Sequence, residues 1–343
     1  PGASTGAGYR RSRTRPEGAG SIRDAMPTVS VVVRALNEAD HLPALFTGLL
    51  RQTRQPDEVI LVDSGSTDDT VAIATAHGAE VVHIAPEEFS FGGSLNVGCQ
   101  EASGELLVIV SAHVYPLDEH WLERLIAPFE RPEVGLVYGR QTGDHRSRFS
   151  ELEVMRRWFP PESDPDQQTP FCNNANCAVR AAASKELPYD ETLTGLEDMD
   201  WARRALEAGW KLVYAADATI AHIHEEPFRT TRNRYRREAI AHRRIFHDQH
   251  LNLFEAAGLW AASVARDYLA AIPRRRLRGN IVSIPVFRAA QYLGTWEGFR
   301  HRGAVSSEWA FSEPVIPSAG ASLPGPLHRS RSLRTTERRA RRT

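Results

Sequence analysis

The sequence predicts an α/β fold in which a mainly parallel sheet is wound by helices and followed by a C-terminal helical extension. Three observations predict it. Between residues 29 and 138, short β-branched apolar runs alternate with amphipathic stretches of helical length. Several runs stop abruptly in polar loops, at Asn37, Asp63 and Ser111 to His113. Beyond Arg229 the strand pattern gives way to helical periodicity.

Residues 29–33 are dominated by valine, as suits a strand buried on both faces. Leu42, Leu45, Phe46, Leu49 and Leu50 then recur at helical spacing within 38–50. The alternation continues with a strand at 59–62, a helix at 68–77, a strand at 81–82, a helix at 94–102 and a strand at 106–110. A helix at 117–129 and a strand at 134–138 follow. After Gly139 the pattern loosens, and the polar stretch 161–170, punctuated by Pro161, Pro165 and Pro170, reads as a mobile loop. Residues 197–209 read as a helix burying Met199, Ala202 and Leu206, and 212–214 and 218–220 as two short strands. Helices are expected at 238–247, 254–271 and 284–300. Segments 1–27 and 304–343, rich in Gly, Ser, Pro and Arg, read as a disordered N-terminal segment and a poorly ordered basic tail. The division is then a catalytic domain at 28–225 and a helical extension at 226–303.

A chain of 343 residues has room for one large domain and an appendage. Its 41% hydrophobic and 25% charged residues suit a globular protein, and a net charge of -1 argues against a nucleic-acid partner. Cys99, Cys172 and Cys177 have no paired metal spacing, so no disulfide framework is expected and a reducing compartment fits. No apolar run approaches the roughly 18 residues of a membrane span, and no apolar signal segment opens the chain. These features predict a cytoplasmic protein, with the inner face of the membrane as an alternative site.

Ligands of wound sheets bind beyond the carboxyl ends of the strands, where Asn37, Asp63, Ser111 and His113 fall. Asp63 can accept hydrogen bonds from a nucleobase or ribose. Helix capping by Ser66 or Thr67 explains residues 67–69 better than it explains Asp63. Phe91-Gly92-Gly93-Ser94-Leu95-Asn96 could carry backbone N–H groups toward a phosphate. Glu197 and Asp198 open a helix, whose N-terminus favours the ionised form that a general base needs. His222 and His224 share one side of an extended segment and, with His113, offer a cation site or a protonated anchor for a diphosphate. The arginine-rich stretch from Arg229 to Arg244 is mostly a solvated helical face, with one or two members within reach of phosphates.

Taken together, these residues resemble the inverting, family-2-type glycosyltransferases of GT-A fold, bacterial rhamnosyltransferase-like members in particular, over about residues 28–225. The resemblance implies transfer of a sugar from a nucleotide diphosphate sugar to an acceptor hydroxyl, as in polysaccharide biosynthesis. It implies nucleotide contacts at Arg34, Ala35, Asn37, Glu38, Asp63, Gly93, Asn96, Ser111 and Ala112. Sugar or acceptor contacts fall at Asn173, Asn174, Asn176 and Trp201, while the arginine-rich stretch itself offers Arg229 and Arg232 as diphosphate contacts. Asp198 is implied as catalytic base, with Glu197 beside it. Leu95 replaces an arginine of the family pattern, and Ser111-Ala112-His113 stands where Asp-x-Asp is usual. His113, His222 and His224 would then hold a divalent metal, Mn²⁺ or Mg²⁺; otherwise cationic side chains neutralise the diphosphate alone. The acceptor is a glycan, a lipid-linked sugar, a small molecule or a peptide. A catalytically inactive nucleotide-sugar or glycan-binding protein is the alternative, against which the retained Glu197-Asp198 pair argues. The C-terminal helices are expected to pack on the catalytic domain or a second copy, with peripheral membrane contact as the sharper reading.

Overall fold

The computed structural model describes residues 26–247 and 249–302. The predicted tail at 304–343, and all but the last two residues of the predicted N-terminal segment, lie outside the described residues. The alternation expected of the sequence is present in order. It runs β1 (Val29–Ala35), α1 (Leu42–Leu50), β2 (Glu58–Asp63), α2 (Thr70–Ala76), β3 (Glu80–His83), α3 (Phe91–Glu101) and β4 (Leu106–Ser111). Next come β5 (Val114–Pro116), α4 (Trp121–Ile126), β6 (Val134–Thr142) and α5 (Phe149–Trp158). The second half contains β7 (Asp164–Gln167), β8 (Asn176–Arg180), α6 (Ala181–Glu186), α7 (Glu197–Glu207) and β9 (Lys211–His222). Helices α8 (Phe228–Ile245), α9 (Leu253–Ala271), α10 (Leu277–Asn280) and α11 (Ser283–Arg300) complete it.

The strands form one sheet in the order β3-β2-β1-β4-β8-β6-β9-β5, with β7 on β9. Strands β1, β2, β3, β4, β6 and β9 run one way; β5, β7 and β8 oppose them. The strand order reverses between β1 and β4, and wound sheets bind ligands beyond the strand ends at such a point. Register places Arg34 beside both Val62 and Ser111, which brings three strand ends to one level. One core packs α1 and α4 against the sheet through Leu42, Leu45, Phe46 and Trp121. The opposite face packs Leu95, Trp201, Ala202 and Ala205.

Three expectations give way to the structure. Residues 161–170 hold β7, whose backbone pairs with β9, and Tyr138 donates to Gln167 to fix it. The two strands expected around 212–220 are one long strand, β9. The sequence pattern does not announce β8 or α5; β8 is short, buried and lacks alternation, and α5 is polar enough to pass for loop. Helix α8 also begins ten residues earlier than the periodicity suggests. It packs on α11 at unusually close range, because a Cβ on Gly294 or Gly298 would lie 2.1 or 2.3 Å from the Arg232 or Arg236 carbonyl oxygen.

Candidate active site

The loops after β1 and β2 are tied together. Asn37, with φ of 54°, donates its N–H to Ser66 Oγ and accepts from Thr67 N–H through Oδ1. The Asp63 carboxylate accepts from the N–H groups of Gly65 and Ser66, and His83 Nδ1 lies 3.1 Å from Oδ2. Oδ1 takes a single donor, which leaves it further acceptor capacity. Glu38 reaches across to the end of β4, where Oε1 lies 2.8 Å from His113 Nδ1.

His113, His222 and His224 form one buried cluster, with ligand-capable atoms within 4.8 Å of one another. The end of β9 lies against the start of β5, where Ile223 N–H donates to the His113 carbonyl, and the His113 ring centroid lies 5.1 Å from that of His222 and 5.7 Å from that of His224. Each Nδ1 faces an oxygen at 2.8 Å, from Glu38, Gln141 and Glu151 respectively. The Gln141 orientation is itself fixed, because its Nε2 donates to Asn173 Oδ1, which also accepts from Ala175 N–H. Nδ1 of His222 must therefore carry a proton, and its Nε2 presents a lone pair. Nε2 of His113 and of His222 is buried without a hydrogen-bond partner. Burial, reinforced by His224 and His113, pushes the His222 pKa well below the ordinary value, so this ring is neutral. Burial pulls His113 down as well, but Glu38 outweighs it and the net shift is upward. Arg234 closes the cluster by donating to Glu226 and Glu151. A cavity of about 10 Å³ lies against His222, His224, Glu151 and Arg234, enough for one water-sized species. Three imidazoles held by outer acceptors, two with orphaned nitrogens, fit a divalent transition-metal ion.

The second cluster surrounds Glu197 and Asp198 at the N-terminus of α7. Gly195 (φ 149°) and Leu196 (φ 56°) turn the chain sharply before the helix. Arg34 Nη1 lies 3.2 Å from Glu197 Oε1 and donates to the Phe91 carbonyl, joining the end of β1 to this pair. Asp198 Oδ2 accepts from Asn174 N–H. The Phe91 ring lies beside two guanidinium groups, Arg34 at 5.8 Å and Arg237 at 5.0 Å. Glu238 of α8 adds a third buried carboxyl. Both oxygens of Glu197 and of Glu238 lack a hydrogen bond. Burial first, then the Glu197 charge, pushes Asp198 up to about 8. Burial likewise carries Glu238 well above the carboxylate range and lowers Arg237 to about 10. The expectation that the helix N-terminus keeps Asp198 readily ionised is thus corrected: desolvation and a like charge outweigh it.

The remaining predicted residues separate by what their polar atoms do. Ser111 and Ala112 sit at the buried end of β4, next to the cluster. Asn173 and Asn174 join the two clusters to the sheet, Asn173 through Gln141 and Asn174 through its backbone to Asp198. Asn176 instead bridges strands, accepting from Trp121 Nε1 and donating to the Arg140 and Ala218 carbonyls. Trp201 is fully buried, donates to the Leu187 carbonyl and packs in the core with Ala202 and Ala205. Asn96 holds the 189–191 segment with all its amide hydrogen bonds, and the Gly93 N–H is taken by Ser90 Oγ. A Cβ on Gly92 would lie 2.4 Å from the Asp190 carbonyl oxygen, so the glycine pair serves close packing of α3 on that segment. Arg232 is paired with Glu297 on α11, and Arg229 is exposed. The charged α8 residues turned inward are Arg234, Arg237 and Glu238, at the three-and-four spacing of a single helical face. That spacing was the signal available in the sequence, as was the Glu151 position once α5 is recognised.

Residues 30–187 match the family described as Glycosyl transferase family 2. The O-antigen chain rhamnosyltransferase WbaN of Salmonella anatum is 28% identical over 222 residues, covering 61% of this chain and 70% of that protein. The O-antigen chain rhamnosyltransferase RfbN of Salmonella typhimurium is 26% identical over 221 residues, covering 60% and 70%. Among solved structures, mannosyltransferase PcManGT from Pyrobaculum calidifontis, in complex with GDP-Man and Mn²⁺, superposes with a TM-score of 0.54 at 19% identity, covering 79% of this chain and 85% of that one. That likeness concerns the fold, which is GT-A. The match over β1 to α6, the strand-end loops and these relatives agree: residues 30–187 form a Glycosyl transferase family 2 domain, and the chain is a glycosyltransferase.

Proposed function

We propose that the protein transfers a sugar from a nucleotide diphosphate donor to an acceptor hydroxyl with inversion, Asp198 acting as general base. One observation carries the reading: Arg34 joins the end of β1 to Glu197, while Glu38 joins the following loop to His113. The nucleotide loops, the histidine cluster and the carboxylate pair thus bound one polar region. Asp63 and the Asn37 loop would receive the nucleoside. The acceptor oxygen forms its bond to the anomeric carbon as Asp198 accepts the hydroxyl proton, and the anomeric bond to the diphosphate breaks on the opposite face. Arg34, in contact with Glu197, and the nearby Arg237 would offset negative charge beside the acceptor. Since Asp198 is 2% exposed, the groups packed around it must part for an acceptor to enter.

His113, His222 and His224 would hold a divalent ion, which when bound supplies positive charge to the departing diphosphate. An all-imidazole donor set favours Mn²⁺ or a later transition ion over Mg²⁺, which prefers oxygen ligands. The Mn²⁺ held by PcManGT is in keeping with this choice. The names of the two Salmonella relatives make a nucleotide-activated rhamnose the first donor to test and a surface-polysaccharide intermediate the first acceptor.

The test is a thermal-shift and donor-hydrolysis screen of nucleotide diphosphate sugars with and without Mn²⁺. The expected result is a metal-dependent shift with one donor, and slow release of its nucleoside diphosphate by the wild type. A donor-independent melt, with no turnover of any nucleotide sugar, would overturn the reading.

A further inference from the structure

Helix α9 is turned inside out. Toward the protein it presents Ala256, Ser263, Val264, Asp267 and Ala271. Ser263 hydrogen-bonds Tyr292, and Asp267 takes a bidentate pair from Arg288. Toward water it presents Phe254, Ala257, Ala261, Ala265 and Leu269, and the stripe continues to Ile272 at three- and four-residue spacing. Phe254 is 88% exposed, Leu269 69% and Ile272 56%. The start of α11 adds Val286, and Val282 just before it is 72% exposed. A soluble helix normally buries such a stripe, so this face has a partner.

Charge identifies the partner. Arg266, Arg275, Arg276 and Arg278 are exposed beside the stripe, as is Arg274, which pairs with Glu153 of α5. Residues 249–302 contain eight arginines and three carboxylates. The carboxylates are already engaged: Asp267 with Arg288, Glu297 with Arg232, and Glu255 in the α9 capping box. No described helix is long and apolar enough to cross a membrane. We propose that α9 and the arginine-rich turn after it seat the protein on an anionic lipid surface, lying in its plane. Apolar side chains enter the acyl boundary and arginines meet lipid phosphates. The inference does not depend on the assignment of the base or the metal.

Cosedimentation of the full chain with phosphatidylcholine vesicles, with and without phosphatidylglycerol, tests it. The protein should pellet with the anionic vesicles, remain free with pure phosphatidylcholine, and be released as salt rises. Arg276→Gln with Arg278→Gln should weaken partitioning about thirtyfold, and Leu269→Gln about tenfold or more. Phe254→Gln, at the far end of the stripe, repeats the apolar test should Leu269→Gln alter the melting curve. Equal partitioning of wild type and variants, or no preference for anionic vesicles, would overturn the proposal. So would a dimer split by Leu269→Gln in a protein that ignores vesicles, since a second copy would then cover the face.

Discussion

The two buried polar clusters of this molecule are built on opposite principles. Around His113, His222 and His224, each Nδ1 meets an outer acceptor, and two of these, Gln141 and Glu151, are themselves held by Asn173 and Arg234, so the geometry is set before anything binds. Around Glu197 and Asp198, the carboxylates of Glu197 and Glu238 have no hydrogen bonds, and charge is balanced mainly by Arg34 and Arg237. The first cluster has its geometry built in and awaits a cation. The second holds its acids partly neutral and awaits a polar ligand that would complete it. The contrast teaches that preorganisation here lies on the leaving-group side of the proposed reaction, while the base side is adjustable.

The largest effect expected from breaking this comparison is at Asp198. Asp198→Asn should lower turnover by about 10² to 10⁴-fold, the usual contribution of a general base, while donor binding measured by calorimetry stays near wild type. The same variant carries a stability signature. With a folded pKa of about 8 against an ordinary 3.8, the carboxyl favours folding most below the lower value. That contribution declines as pH rises through the window up to about 8. Asp198→Asn, unable to ionise, should therefore melt higher than wild type at pH 8 and show no such advantage at pH 4. Equal melting at both pH values would mean that Asp198 is not held protonated.

A smaller effect is expected where the histidine cluster is tuned from outside. Gln141→Leu removes the acceptor on His222 Nδ1 without touching a ligand atom. It should weaken Mn²⁺ binding about 10- to 100-fold, as loss of an outer partner does in metal sites. Titration calorimetry on the purified protein reads this directly, and unaltered affinity would separate the cluster from metal binding. Next in size is the pH profile: kcat/KM should rise about tenfold per pH unit below about 8 and then level off, because the base must lose its proton. A flat profile between pH 6 and 8 would point to another base.

Legibility in the sequence divides along the same line. The strand ends are readable because buried parallel strands are continuous apolar runs, and the loops after them must turn into the crevice; Asn37, Asp63 and His113 come from that rule alone. The pairing of His222 with His224 is readable from strand alternation. Partners in distant elements are not: Glu151 sits on a helix whose polar composition hides it, and Gln141 reaches His222 through a β-bulge in β6. Asn96, Asn176 and Trp201 show the opposite failure, since a motif position says which residue is present and nothing of which atoms its neighbours occupy. The raised pKa of Asp198 escapes the sequence because a helix terminus is visible there and desolvation by a later helix is not.

The smallest expected effect settles which face of α8 serves the site. Sequence alone offered Arg229 and Arg232 as diphosphate contacts, whereas the helix turns Arg234 and Arg237 inward and pairs Arg232 with Glu297. The Arg232 side chain is 43% exposed, so its ion pair is worth at most about 1 kcal/mol. Arg232→Gln should leave kcat and KM for the donor within about twofold of wild type and shift the melt by no more than a few degrees. Arg237→Gln removes a buried cation from between Phe91 and the Glu197–Glu238 carboxyls and should reduce kcat far more. The reverse ranking, with Arg232 the more damaging loss, would place the leaving-group diphosphate on the α11 side of the helix and would require the inward face of α8 to be structural only.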